Sequence, residues 1–318
     1  MNWGILGCAN IAITSVIPAI LRSDANAKII VSSRSLQKAE EVSGRYNCNF
    51  VTGYEKLLEI EELDAIYIPL PTGLHYEWVL KALKLGKHVL VEKSAAMTFN
   101  EANEMVELAR RKNLALVENF QFQHHSQHKV VKSIIKEKRL GELRCFRSSF
   151  GFPPFGGDNN IRYKKELGGG ALLDAGAYTL KAASFILEKD FEVKSSFLAN
   201  NDKYKVDWFG GAFLIDEKKE IFVETAFGFD NYYQCNYEIW FSKGKVTATR
   251  AYTAKLDYAP ELIIEEDGNV ETVRLEKDDH FLNMINYFKT IILNHDFEKE
   301  YSNLLKQALL IELVKLNS

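Results

Sequence analysis

Three stretches of this 318-residue chain hold residue types at spacings that can do chemistry. The first is the N-terminal run Trp3-Gly4-Ile5-Leu6-Gly7-Cys8-Ala9-Asn10-Ile11-Ala12. Counted from Gly7 it spells G-C-A-N-I-A, a dinucleotide fingerprint G-x-G-x-x-G with alanine at the second and third glycine positions. The first glycine permits a tight turn, the second a close pyrophosphate, the third close helix–strand packing; alanine is the smallest replacement for the last two. The backbone N–H groups of Cys8, Ala9, Asn10 and Ile11 would then face an anion at a helix N-terminus. The second stretch is Ser32-Ser33-Arg34-Ser35, with Lys38 one helical turn later. A carboxylate here would hold the ribose 2′-hydroxyl of NAD, and none is present. Arg34 and Lys38 beside the Ser33 hydroxyl suit a 2′-phosphate, so NADP(H) is the expected cofactor. The third is Asp174 and Tyr178, four apart on a predicted helix and so on one face. Lys93 ends a predicted strand, at the carboxyl edge where open α/β sheets bind ligands. Taken alone, Tyr178 reads as packing, Lys93 as an exposed strand-end lysine and Asp174 as a structural acceptor. His124 and His128, at i and i+4, could share a metal if helical. No third ligand accompanies them, and no metal is expected.

These groups need elements to position them. Apolar runs at 3–6, 28–32, 64–70, 88–93 and 114–119 read as buried strands, alternating with helical patterns at 11–22, 36–46, 75–85 and 99–112. That is an α/β Rossmann domain with a parallel sheet, placed at residues 1–120. From residue 121 the period changes. Helices are expected at 127–138 and 171–187, a half-exposed strand at 142–152, and a Gly/Pro/Asp/Asn-rich loop at 151–160. Alternating runs between 191 and 275 read as a large open, mostly antiparallel sheet, and helices at 281–293 and 301–316 end the chain. The second domain, 121–318, is therefore α+β. The chain is 47% apolar and 26% charged with a net charge of -3, which gives no pull toward nucleic acid. No apolar run reaches about 18 residues, so no membrane partner is expected. Gly4 and Gly7 break the first apolar run, against a signal peptide. Four scattered cysteines read as reduced thiols in a cytoplasmic protein.

Two longer motifs extend the case: "PLPTGLHYEWVLKALKLGKHVLVEKSAAM" at 69–97 and "ELGGGALLDAGAYTLKAA" at 166–183. With the N-terminal loop, their order and spacing resemble the glucose–fructose oxidoreductase/inositol dehydrogenase (Gfo/Idh/MocA) family over nearly the whole chain. Together with "ENFQFQHHSQH" at 118–128, they are most similar to that family's NADPH-dependent nucleotide-sugar 3-ketoreductases. The resemblance implies a keto-sugar substrate, nucleotide-linked, and a homodimer or homotetramer formed through the C-terminal sheet. It implies cofactor contacts at Pro71, Thr72, Glu92 and Lys93, with His75 either a further contact or only a helix-start residue, and substrate contacts at Asn119, Arg162, Tyr163, Asp174 and Tyr178, with His124 either a substrate contact or structural. Gly168, Gly169 and Gly170 could present N–H groups to a diphosphate or form a close-packed turn. Two departures stand out. The family's E-K-P is Glu92-Lys93-Ser94 here, without the proline that often carries a cis bond, and the D-x-x-x-H of many relatives ends in Tyr178. The chemistry implied is ketone reduction. With hydride supplied by NADPH, Tyr178 protonates the carbonyl oxygen. Lys93 orients nicotinamide and substrate, and its ammonium lowers the phenol pKa from about 10. Asp174 holds a sugar hydroxyl or positions Lys93. Two other readings stay open. One is a dehydrogenase of a free sugar such as D-xylose or of a trans-dihydrodiol, whose motif also ends in tyrosine. The other is a redox-inactive NADP-binding regulator.

Overall fold

A strand that is apolar on both sides must be covered on both faces. In the computed structural model, which describes all residues from Met1 to Ser318, such strands build the first of two units, Met1–Asn119 with Phe281–Ala308. Its chain order is β1 (Trp3–Leu6), α1 (Ile17–Ser23), β2 (Ile29–Ser33), α2 (Leu36–Tyr46), β3 (Asn49–Thr52), α3 (Tyr54–Leu58), β4 (Ala65–Ile68), α4 (Thr72–Lys84), β5 (His88–Glu92), α5 (Phe99–Lys112) and β6 (Leu116–Asn119). The strands form one parallel sheet in the order β3-β2-β1-β4-β5-β6. The order reverses between β1 and β4, which makes the carboxyl ends of these two strands the switch point of a doubly wound sheet. The expected α/β Rossmann architecture is present.

Three local differences have physical causes. The helix expected at 11–22 opens as a π-helical turn, Ala12–Val16, in which Ile17 N–H reaches Ala12 O. Pro18, just beyond, has no N–H to give. The helix expected from residue 75 starts at Thr72, because Pro71 takes an extended conformation immediately before it. Strand β3 and helix α3 were not expected: β3 is an edge strand, mostly exposed, and so carries no apolar run.

The second unit comprises Phe120–His280 with Leu309–Ser318. It holds α6 (Gln127–Glu137), β7 (Leu143–Phe152), α7 (Ala177–Leu187), β8 (Phe191–Asn200), β9 (Asp207–Asp216), β10 (Phe222–Phe229), β11 (Gln234–Phe241), β12 (Gly244–Ala248), β13 (Glu261–Glu266) and β14 (Asn269–Arg274). The eight strands run β14-β13-β12-β11-β7-β10-β9-β8 and are antiparallel except for the β7–β10 pair. Alternation decides their faces. Phe146, Ser148 and Phe150 of β7, with Val223, Thr225 and Phe227 of β10, are buried on the side of α7. Phe197, Phe209, Phe213 and Trp240 stay exposed. A second π-helical turn, Leu172–Gly176, leads into α7.

The last helices are α8 (His280–Asn294) and α9 (Glu298–Leu316). A single division at residue 120 does not describe them, since Phe281–Ala308 groups with the first unit. The reason is packing on that unit: Phe288 meets Trp3 at 5.4 Å between ring centroids, Tyr301 donates to Leu114 O at 2.6 Å, and Glu298 takes Arg110 at 2.9 Å. No helix is long and apolar enough to cross a membrane.

Candidate active site

Gly7 ends β1 with φ +119, a conformation other residues rarely adopt. A Cβ there would sit 2.9 Å from Leu70 Cδ2, so the first glycine of the fingerprint is required twice, by backbone and by space. Its N–H lies 3.1 Å from both Ile5 O and Ser32 O, which fixes the turn. The chain then becomes helical, with Ile13 N–H on Ala9 O and the Thr14 hydroxyl on Asn10 O. The first N–H groups of such a helix have no partner within it, which leaves Ala9, Asn10 and Ile11 to present theirs to an anion. Cys8 is different: its buried thiol contacts Ser32 O, so only its backbone can serve a ligand.

At the end of β2, Ser33 is buried and its hydroxyl accepts Ser35 N–H at 3.1 Å, while Ser35 caps α2 by accepting Lys38 N–H. Arg34 is exposed and lies near the Tyr54 hydroxyl. Burial raises the Tyr54 pKa, and Arg34 pulls it back. Lys38 is close enough to Cys8 to oppose the rise that burial gives that thiol, so the β2 end and the Gly7 turn share one electrostatic neighbourhood. A glycine cradle closed to any Cβ and a strand end with cations in place of a carboxylate fit NADP(H).

Pro71 and Thr72 open α4 beside the β1/β4 switch point. His75, in the first turn, is wholly buried. Its Nε2 lies 2.7 Å from Leu70 O and its Nδ1 2.9 Å from Ser94 O. An imidazole so enclosed does not reach a cofactor, contrary to the expected direct contact. Glu92 is also turned inward, where Tyr67 Oη donates to its Oε1 at 2.7 Å and Asn119 Nδ2 at 2.6 Å. Burial raises its pKa against those bonds and the Lys93 ammonium. The peptide between Lys93 and Ser94 is cis despite the missing proline. Asn119, expected on the substrate, is buried and bonded to Glu92, and its Oδ1 has no hydrogen-bond partner.

In the second unit Tyr178 is 8% exposed. Its ring is walled by Phe120, Phe122, Phe150 and Tyr252, with centroids at 5.5, 5.8, 5.1 and 5.7 Å. The phenol oxygen meets the Gln121 amide at only 3.4–3.5 Å, longer than an ordinary hydrogen bond. Asp174 Oδ2 accepts Arg162 Nε at 2.6 Å. Arg162 also lies 4.3 Å over the Phe155 ring. The Tyr163 hydroxyl donates to Phe155 O at 2.8 Å and its ring stacks on Tyr204, so it anchors the loop rather than offering a free hydroxyl. The glycine triplet resolves as a close-packed turn, with the N–H groups of Gly168, Gly169 and Gly170 on the carbonyls of Lys165, Lys164 and Arg162. His124 ends a 3-10 turn while His128 lies in α6, and His128 is held by Tyr237 Oη and Ala251 O.

Two residues with a part in this geometry were not singled out in the sequence. Gln121 lies inside a quoted motif, but nothing there marks it as the neighbour of Tyr178. Asp207, on β9, accepts Leu172 N–H at 2.5 Å and so caps the turn that leads to Tyr178. A Cβ on Gly170 would come within 2.2 Å of that carboxylate, which explains the glycine.

Residues 1–120 match the GFO/IDH/MocA oxidoreductase family, NAD-binding Rossmann fold, and residues 128–247 match the GFO/IDH/MocA C-terminal domain. The dTDP-3,4-didehydro-2,6-dideoxy-alpha-D-glucose 3-reductase of Saccharopolyspora spinosa is 39% identical over 90% of this chain and 85% of its own. The D-xylose 1-dehydrogenase (NADP(+)) 2 of Haloferax volcanii is 30% identical over 91% of this chain and 88% of its own. A crystal structure of the 3-ketoreductase from Actinomadura kijaniata with NADP and TDP-benzene superposes with a TM-score of 0.95 at 34% identity, covering 100% of this chain and 97% of that one. Variants of that enzyme with a tyrosine changed to phenylalanine and a lysine changed to alanine have also been solved with both ligands.

The buried imidazoles make stability depend on pH. Burial holds His75, His124 and His280 down to about 4 and His128 to about 3. Unfolded, each titrates near 6.5. The unfolded chain therefore binds more protons below pH 6.5, and the stability present above that value is lost as pH falls toward 4. Thermal scans should show the unfolding midpoint dropping by about 5 °C or more between pH 7 and pH 5. A flat midpoint over that interval would mean that the imidazoles are not held neutral.

Proposed function

We propose, from the premise that this chain belongs to the GFO/IDH/MocA oxidoreductase family, that it reduces the 3-keto group of a dTDP-linked keto-deoxysugar with NADPH. The observation that carries this reading is the near-full-length similarity to 3-reductases of that substrate class, joined to a β2 end that offers Arg34 where an NAD enzyme offers a carboxylate. NADPH, when bound, supplies the hydride. Gly7 and the N–H groups of Ala9, Asn10 and Ile11 hold its diphosphate, and Arg34 with Lys38 holds its 2′-phosphate. Pro71 and Thr72 border the bound cofactor.

Tyr178 donates the proton that the carbonyl oxygen needs as hydride adds to carbon. An aromatic wall holds its ring, and its contact with the Gln121 amide is long, at 3.5 Å. Lys93 stabilises the charge that develops there. The Actinomadura enzyme was altered at a lysine and a tyrosine at almost the same separation along the chain as Lys93 and Tyr178. Asp174 orients Arg162, and Arg162 takes the substrate diphosphate at the loop that Tyr163 anchors. His124 borders the substrate. The exposed Phe197, Phe209, Phe213 and Trp240 of the C-terminal sheet support a homodimer or homotetramer through that face. Four free cysteines fit the reducing cytoplasm.

The test is turnover with a dTDP-linked 3-keto-deoxysugar and NADPH, set against D-xylose and NADP+. Reduction of the nucleotide sugar alone is expected; turnover of free xylose alone would overturn the reading. Tyr178→Phe should lower kcat by about 100-fold or more with little change in NADPH affinity. Unchanged turnover would remove Tyr178 from the chemistry. Arg34→Ala should raise the KM for NADPH by about 10-fold and leave that for NADH alone; equal effects on both cofactors would refute the 2′-phosphate contact.

A further inference from the structure

We infer that His75 is a positioning residue that couples the loop after β4, with Pro71 and Thr72, to the loop after β5, with Lys93. The inference rests on the proposed role of Lys93. The two loops leave neighbouring strands at the carboxyl edge of the parallel sheet. Between them lies one side chain, wholly buried, with Nε2 2.7 Å from Leu70 O and Nδ1 2.9 Å from Ser94 O. Leu70 directly precedes Pro71, and Ser94 directly follows Lys93. A neutral imidazole has one N–H, so it donates to one of the two carbonyls and packs its other edge against the second, as a rigid plate between the two loops. An amide has a longer, more flexible reach and a leucine has no polar atom at all.

Other contacts tie the residues around Lys93 to the sheet. Glu92 is tied to Tyr67 and Asn119, and Ala95 N–H donates to Glu118 Oε1 at 2.8 Å. These fix the segment to the sheet and to β6. His75 alone among these contacts reaches the backbone of the loop proposed to border the cofactor. Burial, with the Lys93 ammonium adding to it, keeps the ring neutral at ordinary pH although the carbonyls of Leu70 and Ser94 favour its charged form. Its contribution is thus placement rather than charge. Placement matters because a displacement of about 1 Å of a catalytic group costs about 100-fold in rate.

A merely structural residue gives the control. Lys87, at the opposite, amino end of β5, donates from Nζ to Ile60 O, Glu61 O and Leu63 O at 2.9, 2.8 and 2.8 Å. Lys87→Met should lower the melting temperature and leave kcat within about 2-fold, because no ligand group is near that edge. His75→Leu should lower kcat by about 10- to 100-fold at a temperature where both variants are folded, and raise the KM for NADPH. His75→Gln, which keeps a polar reach, should recover part of the loss and carries the comparison if the leucine variant does not fold. His75 variants that lose no more kcat than Lys87→Met would overturn the positioning role. Lys93→Met, measured alongside, tests the premise. Unchanged kcat there overturns both readings. A kcat loss there with unaffected His75 variants overturns the coupling alone.

Discussion

One buried carboxyl ties the ends of three adjacent strands. Glu92, on β5, accepts from Tyr67 of β4 and Asn119 of β6 through a single oxygen. Taking an acid out of water is costly unless donors meet it, and burial does raise the Glu92 pKa. The two donors and the adjacent Lys93 ammonium oppose that rise. The arrangement therefore holds only if β4, β5 and β6 keep their register, and it places Lys93 at the next position along the chain. The proposed chemistry of the first unit depends on this: the lysine is the residue that follows a fixed point.

The second unit solves the same problem differently. Tyr178 is placed by shape, with four aromatic rings around it and no short polar contact from Gln121. Aromatic walls hold a ring in place through edge and face contacts. The helix that carries it is fixed at its start instead, by Asp207 on the N–H of Leu172. A carboxylate at a helix N-terminus satisfies donors that the helix cannot and complements its dipole. Burial raises the Asp207 pKa, and the N–H of Leu172 pulls it back.

How much of this was legible in the sequence depends on the distance of the partner. Helices α2 and α5 were read at their observed bounds because their signals are local: Ser35 and Thr98 cap the starts, and Asn47 and Asn113 turn left-handed at the ends. Gly7 was legible because a tight turn needs only its own φ. The inward turn of Glu92 was not, since its donors come 25 residues before and 27 after it. The Asp207 cap, 35 residues from Leu172, was hidden for the same reason. Asp174 and Tyr178 do lie four apart, but spacing shows only that two residues can share a face. The ion pair with Arg162, twelve residues upstream, is not visible in that spacing. The glycine triplet admitted two readings until its carbonyl partners were seen.

The two arginines of the proposed ligand contacts differ in a way that bears on selectivity. Arg34 is exposed and faces a tyrosine hydroxyl rather than a carboxylate. Its full charge is available to a 2′-phosphate, and an adenosine without that phosphate leaves the attraction unused. Arg162 is already met by Asp174 at 2.6 Å and lies on a phenyl ring. A diphosphate must share the guanidinium with that carboxylate, so the net attraction is smaller and the geometry more exacting. A guanidinium has further N–H donors with which to meet a second partner, and the Phe155 ring lies 4.3 Å from it. In the proposed contacts, then, the exposed cation selects by charge and the paired one by direction. That division matches a cofactor distinguished by one phosphate and a substrate distinguished by where its keto group falls relative to its nucleotide.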